Sequence, residues 1–118
     1  MSPKETPKKN STPPKTPSEK QGGWPLNDLR VKGYLSQMPG WKQSGGTISK
    51  TFTFKNFYET MGFVNALAFI ANQEDHHPEL EVAYKTCQVH YTTHDAGGLT
   101  EKDFVCAAKI DALLDFKS

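Results

Sequence analysis

The chain has 118 residues, a length typical of a single domain. Its net charge of +1 is divided unevenly, with +3 on residues 1–23 and −2 on residues 24–118, so the larger part lacks the basic surface that binds nucleic-acid phosphates. No apolar run approaches the about 20 residues that span a bilayer, no secretory signal is evident, and only two cysteines occur, which together favour a cytoplasmic protein with reduced thiols.

Residues 1–23 contain five of the eight prolines and five lysines, and they have no large apolar side chain after Met1. A segment of this composition cannot bury enough apolar surface to offset the entropy lost on ordering it. We therefore predict a disordered tail over residues 1–23 and a folded domain over residues 24–118. A phosphorylated or partner-binding arm is the alternative interpretation of the tail.

In the first part of the domain, apolar residues recur at mostly helical spacing over residues 26–38. This pattern predicts a helix with Pro25 in its first turn and Pro39 and Gly40 after its end. A pair of strands follows, because the Ser-Gly-Gly sequence at 44–46 is typical of a hairpin turn. The second strand carries apolar side chains on one face: Ile48, Phe52 and Phe54.

A second helix is predicted over residues 57–71. Asn56 precedes it as a cap, and Glu59 lies three residues later, as in a capping box. Two apolar rows run along this helix, one with Phe57, Met61, Val64, Ala68 and Ala71, the other with Phe63, Leu67 and Ile70. Because this apolar surface is wide for a small domain, one row is a candidate contact with another subunit.

Two more strands are predicted at 80–84 and 86–94, with a tight turn at Lys85 and Thr86. On the second of them, alternation places Cys87, Val89 and Tyr91 on one face and Gln88, His90, Thr92 and His94 on the other. Thr100 and Asp103 have the spacing of a helix cap, which predicts a third helix. The order α-β-β-α-β-β-α predicts an α+β fold, a four-stranded antiparallel sheet with helices on one face.

All four histidines lie between positions 76 and 94. A metal site is disfavoured, because Pro78 makes the residue before it extended, so that the neighbouring imidazoles of His76 and His77 diverge. His90 and His94 are separated by about 13 Å of strand, too far to share one ion. Histidine titrates near neutral pH, so both an acid–base site and a set of exposed loop histidines stay open. We expect His90, within a strand, to be a bystander.

Four stretches carry a family resemblance: GWK at 40–42, FTFKNF at 52–57, EDHHPE at 74–79 and YTTHDAGGLTEKDF at 91–104. Together they resemble the pterin-4a-carbinolamine dehydratase family, in particular its bacterial type associated with phenylalanine hydroxylase. The resemblance implies dehydration of a 4a-hydroxytetrahydropterin to the quinonoid dihydropterin, without metal or cofactor. It also implies a role in recycling tetrahydrobiopterin for aromatic amino acid hydroxylases and a homodimer or homotetramer.

The same resemblance implies roles for individual residues. His76 and His94 match the acid–base pair. His77, which is counted with them among the catalytic residues, matches a binding or electrostatic group over the pterin. Substrate contacts are implied for a further set: Asp75, which is the expected partner of an imidazole, with Pro78, Trp41, Thr93, Asn72 and Asp103. A core or strand-edge aromatic is the alternative interpretation of Trp41, and a cap role of Asp103 is compatible with its site role.

One position departs from the family pattern. Asn72 stands where family members often carry a glutamate, so the charge-assisted contact with the pterin edge is lost here. Glu74 is a candidate substitute. The alternative to an enzyme is a protein-binding module, since animal members of this family also act as a dimerisation cofactor of a transcription factor.

Overall fold

The computed structural model describes residues 25–114. The predicted tail at 1–23 and the predicted start of the domain at Trp24 lie outside the described residues. Within residues 25–114 the helices and strands follow the predicted order. They are α1 (Asp28–Leu35), β1 (Lys42–Ser44), β2 (Thr47–Thr53), α2 (Phe57–Glu74), β3 (Glu79–Val82), β4 (Thr86–Tyr91), a 3₁₀ turn (His94–Ala96) and α3 (Glu101–Ala112).

The strands form one antiparallel sheet in the order β1-β2-β4-β3, which confirms the predicted α+β fold. β2 and β4 pair at the centre, with Ile48 opposite Tyr91 and Phe52 opposite Cys87. These inward side chains are buried beneath the helices. The side chains that alternate with them are polar and lie on the opposite face, as expected for a sheet with one solvated side.

The predicted hairpin turn is confirmed between β1 and β2. Ser44 pairs with Thr47, which leaves Gly45 and Gly46 as a two-residue loop. Gly45 has a φ of +59°, in the left-handed region that glycine adopts without steric cost.

The first helix is shorter than predicted. Asn27 caps it, since its side-chain oxygen accepts the backbone N–H of Arg30. Pro25 therefore lies before the helix and not in its first turn. Leu26 is held outside the helix as well, because its N–H donates to the Leu99 carbonyl at 2.7 Å. Residues 36–38 form turns after the helix has ended.

Helix α2 has the predicted cap with a variation. The Asn56 side chain accepts the N–H of Glu59 at 2.9 Å, whereas the Glu59 carboxylate accepts the N–H of Lys55 and not that of Asn56. Of the two apolar rows, the second packs in the core: Phe63, Leu67 and Ile70 are buried. The first row lies only partly outside the core: Phe57 is 48% exposed, whereas Val64 packs against the core and Ala71 is buried.

The fourth strand ends earlier than predicted. Alternation holds from Thr86 to Tyr91, but the chain then leaves the pleat, and Thr93 pairs with Gly98 in an isolated bridge. His94 begins the 3₁₀ turn and therefore does not share a strand face with His90. The carbonyl of Thr93 accepts the N–H of Ala96, which closes this turn.

Aromatic rings join the sheet to the helices. Phe63 of α2 lies with its ring centroid 4.7 Å from that of Phe52 and 5.0 Å from that of Phe54. Tyr34 stacks on Phe104 at 4.6 Å and so attaches α1 to α3. Such pairs add to the free energy gained from apolar burial. Among residues 25–114, no helix combines the length and the apolar character needed to cross a membrane.

Candidate active site

A polar cavity of about 340 Å³ opens where α2 and β4 end and α3 begins. It contains the three histidines that the sequence singled out, together with polar side chains from the same loops. Its lining consists of Asp75, His76, His77, Thr92, Thr93, His94, Asp95 and Lys102.

The most constrained member of the cavity is His76. Its Nε2 lies 2.6 Å from Oδ1 of Asp103, in the first turn of α3. The His76 side chain is only 12% exposed and that of Asp103 is fully buried. A charge-assisted contact of this length between buried groups is among the stronger hydrogen bonds in proteins. The expected orienting carboxylate, Asp75, makes no such contact, and Asp103 takes this position instead.

Asp103 is itself held by two further donors. Its Oδ2 accepts the Thr93 hydroxyl at 2.7 Å and the backbone N–H of Thr100 at 2.9 Å. Thr100 and Asp103 form the capping box of α3, as their spacing predicts. A single carboxylate thus caps the helix with one oxygen and binds His76 with the other.

Tyr91 supports His76 from the end of β4. Its ring stacks on the imidazole, with the centroids 5.1 Å apart, and its hydroxyl donates to the His76 carbonyl at 3.1 Å. Burial, and secondarily the neighbouring Cys106, raises the pKa of Tyr91 far above its ordinary value. The phenol therefore stays protonated and remains a donor.

Asp75 determines the direction in which the backbone leaves α2 and enters His76 and His77. This residue ends α2 in the left-handed conformation, with a φ of +52°. The change of direction carries the chain out of the helix while the N–H of His76 still donates to the Ala71 carbonyl at 3.0 Å. Aspartate tolerates this conformation better than most residues do, which accounts for its place here.

The family model for pterin 4 alpha carbinolamine dehydratase matches residues 24–113. The chain belongs to this family. It is 55% identical over 89 residues to a protein of Nitrosospira multiformis that is named as a candidate pterin-4-alpha-carbinolamine dehydratase, covering 75% of this chain and 79% of that protein. A similarly named protein of Chromobacterium violaceum is 56% identical over 92 residues, covering 78% of this chain and 85% of that protein.

A solved structure supports the same assignment. The transcriptional coactivator/pterin dehydratase from Brucella melitensis superposes with a TM-score of 0.73 at 33% sequence identity. The superposition covers 75% of this chain and 97% of that chain.

A second, mostly apolar cavity of about 510 Å³ adjoins the first in this carbinolamine dehydratase family member. His77 lines both cavities and so lies between them. Asn72 and Pro78, which the resemblance assigned to substrate contact, line this apolar cavity rather than the polar one. Glu74, the candidate substitute for the missing glutamate, is paired with Lys109 and lines neither cavity.

The structure does not bring Trp41 to this site. Its side chain is only 5% exposed, and its indole N–H donates to Asp111 at 3.0 Å. Asp111 lies eight residues beyond Asp103 on α3, and the helical rise separates the two residues by about 12 Å along the helix axis. In this dehydratase family member, Trp41 is a core residue whose indole nitrogen has a hydrogen-bond partner.

His90 also lies apart from the cavity. It is on the polar face of the sheet, where its Nδ1 is 2.6 Å from the Ser49 hydroxyl and its Nε2 is 2.8 Å from Glu81. These contacts connect β2, β4 and β3 side by side. Its assignment as a bystander to the reaction stays a prediction.

Sequence reasoning missed several features of the site. Thr100 was seen only as a helix cap, and Tyr91 only as an inward strand residue. Lys102 at the cavity rim carried no signal beyond its position beside Asp103. Among the described residues, no group of three or more His, Cys, Asp or Glu side chains is arranged to hold a metal ion.

Proposed function

We propose that this protein dehydrates a 4a-hydroxytetrahydropterin to the quinonoid dihydropterin by histidine acid–base catalysis. The observation that carries the proposal is the grouping of His76, His77 and His94 around one polar cavity above the buried carboxylate of Asp103. Membership of the carbinolamine dehydratase family supports the substrate class.

The reaction removes water across the C4a–N5 bond. The C4a–O bond breaks as the leaving hydroxyl takes a proton, and the N5–H bond breaks as its electron pair forms the C4a=N5 double bond. One imidazolium and one neutral imidazole meet both needs, because each form of histidine is accessible near neutral pH. We assign these two groups to His76 and His94, and no metal or redox cofactor takes part in the balance.

The remaining residues of the site have binding roles in this proposal. His77, between the two cavities, contacts the pterin ring, and Asp75 lies at the rim of the polar cavity. Pro78 and Asn72 contact the part of the substrate that reaches the apolar cavity. Asn72 supplies hydrogen bonds without the charge assistance of a carboxylate, which weakens this contact.

We further propose a setting for the reaction. The protein acts in the cytoplasm as a homodimer or homotetramer and returns pterin for reduction after an aromatic amino acid hydroxylase, such as phenylalanine hydroxylase, has used it. Two exposed apolar side chains of α2, those of Phe57 and Phe69, support self-association, because they lie outside the core.

The test begins with the hydroxylated pterin itself. A hydroxylase generates 4a-hydroxytetrahydropterin in the cuvette, and absorbance follows the quinonoid product with and without the full chain. We expect the protein to accelerate dehydration well beyond the spontaneous rate. A rate equal to the spontaneous one would refute the enzymatic proposal.

A protein-binding module is the second candidate. It is favoured by large exposed side chains on α2, with Tyr58 87% and Phe69 68% exposed, and by the name of the Brucella protein, which includes a coactivator role. Tyr58→Ser and Phe69→Ser, made together, test it. If the double variant no longer binds a protein partner but dehydrates the pterin at an unchanged rate, this candidate is supported. Unchanged partner binding contradicts it.

A further inference from the structure

We propose that Asp103 is a positioning residue that holds neutral His76 in the tautomer with hydrogen on Nε2, so that Nδ1 is the atom that exchanges protons with the substrate. The tautomer is inferred from the hydrogen bonds that Asp103 accepts and does not depend on the proposed function. Its role in catalysis rests on the proposed function.

The carboxylate of Asp103 is the acceptor in these contacts. Oδ2 of Asp103 faces two donors, and one of them, the backbone N–H of Thr100, can only donate. The Thr93 hydroxyl donates to the same oxygen at 2.7 Å. Oδ2 therefore carries no hydrogen, and the two donated hydrogen bonds favour the ionised form of the carboxylate, in which Oδ1 also acts only as an acceptor. The hydrogen between Oδ1 and His76 therefore lies on Nε2.

The imidazole ring of His76 is held in one orientation. Rotating the imidazole by half a turn would place a carbon atom against Oδ1 of Asp103 and lose the contact. Stacking on Tyr91 and the bond from its hydroxyl to the His76 carbonyl hold the ring and its backbone in place. Because Asp103 and Tyr91 lie on different elements, the orientation is fixed from two sides.

This tautomer assigns one role to His76 and another to His94. With hydrogen on Nε2, neutral His76 has its lone pair on Nδ1, and residues 25–114 provide this atom with no hydrogen-bond partner. His76 thus rests as the base that accepts the proton from N5, and Asp103 stabilises the imidazolium that forms. His94, exposed at the start of the 3₁₀ turn, then protonates the leaving hydroxyl. One proton is accepted and one is donated, which balances the loss of water.

Asp103→Asn gives the sharpest test of this tautomer. The Thr100 N–H requires an acceptor, so the amide oxygen faces Thr100 and Thr93, and the amide NH₂ faces His76. The NH₂ group donates, which forces Nε2 to accept and moves the hydrogen to Nδ1. The helix cap is kept while the tautomer is reversed.

Nitrogen NMR reads the tautomer directly. In the full chain labelled with ¹⁵N-histidine, with the His76 signals assigned by their loss in His76→Gln, we expect a protonated Nε2 and an unprotonated Nδ1 above the pH of imidazole ionisation. Asp103→Asn should exchange the two patterns. An unprotonated Nε2 in the unmutated protein would overturn the proposal, as would an unchanged pattern in Asp103→Asn.

Measurements of kcat and KM distinguish a positioning role of Asp103 from a role in folding alone. Thr93→Val removes one donor to Asp103 and keeps the shape of the side chain, so kcat should fall about tenfold with KM unchanged, the scale of one hydrogen bond to a charged group. Thr93→Ser should restore kcat. Asp103→Asn should lower kcat by about 10²-fold or more, since the base then lacks its lone pair on Nδ1. A change in KM alone, or no rescue by serine, would contradict the positioning role.

The two proposals fail in different ways. If the NMR pattern is as expected but dehydration is not accelerated, the function is wrong and the tautomer stands. If dehydration is accelerated but the hydrogen is on Nδ1, the function stands and the tautomer inference is wrong.

Discussion

At the scale of single residues, the site depends on side chains whose partners are distant in the sequence. His76 and Asp103 are 27 residues apart, yet their polar atoms are 2.6 Å apart in the folded chain. His90, by contrast, is directed at Ser49 and Glu81 on the opposite face of the sheet. The four histidines therefore divide into three at the cavity and one outside it.

This division predicts the effect of removing each imidazole. His76→Ala and His94→Ala should each slow dehydration by about 10²-fold or more, the usual contribution of a general acid or base. His90→Ala, the matched control, should leave the rate nearly unchanged because the contacts that it removes lie on the other face of the sheet, outside the cavity. Steady-state rates on the enzymatically generated hydroxypterin measure this. Equal losses for the three variants would show that the site is misplaced.

A second prediction concerns the backbone at Asp75. Its φ of +52° is unfavourable for a side chain with a Cβ, by about 1–2 kcal/mol, and aspartate tolerates it better than alanine. Asp75→Ala should therefore lower the free energy of unfolding by about 1 kcal/mol relative to Asp75→Gly, which accepts the left-handed conformation. Urea unfolding of both variants measures the difference. Equal stability would mean that the turn relaxes at no cost.

At the scale of elements, the caps determine where the helices begin. Asn56 supplies the oxygen that the free N–H of Glu59 requires at the start of α2. Thr100 and Asp103 do the same for α3, and there the cap is also part of the site. The start of α3 is therefore coupled to the contact with His76, whereas the cap of α2 has no partner in the candidate site.

The same substitution at two places in α2 tests the value of its cap. Asn56→Ala should lower the free energy of unfolding by about 1 kcal/mol, because the first turn loses its acceptor. Asn65→Ala, at an exposed position within the helix, should have no cost or a small gain, since alanine has the higher helix propensity. Chemical denaturation measures both. Similar effects at the two positions would contradict a specific cap.

At the scale of the whole molecule, the core contains two free thiols. Cys87 from β4 and Cys106 from α3 are both fully buried, and burial raises the pKa of each. They pack as small apolar groups in the hydrophobic core.

These thiols predict how stability responds to pH. Unfolded cysteine ionises near pH 8.5, about the ordinary value, whereas the folded thiols keep their protons to higher pH. Above that pH the native state binds more protons than the unfolded one, so the free energy of unfolding should fall as pH rises. Urea unfolding between pH 7 and pH 10 measures the slope, and Cys106→Ala should reduce it. A slope unaffected by this substitution would contradict the assignment.

Burial should also protect the thiols of Cys87 and Cys106 from alkylation. Iodoacetamide reacts with thiolates, so Cys87 and Cys106 should react far more slowly in the native protein than in urea. Mass spectrometry of the alkylated chain measures the difference. Rapid native labelling at either position would show that the core opens there.

Much of the architecture was predictable from the sequence, because it depends on local patterns. Alternation in β2 and β4, the Gly45–Gly46 turn and the caps at Asn56 and Thr100 each act over a few residues, so the element order and the antiparallel sheet could be inferred. The motifs around His76 and His94 also indicated the family and the three histidines at the cavity.

Only the tertiary structure decided which side chains meet. The pairing of His76 with Asp103 instead of Asp75 and the contact of Trp41 with Asp111 depend on where α3 packs. Such contacts join residues far apart in the chain, and no local pattern encodes their distances. The early end of β4 accompanies the bridge between Thr93 and Gly98. The sequence alone thus determined the order of the elements and the chemistry available, and packing determined which nitrogen of His76 meets Asp103.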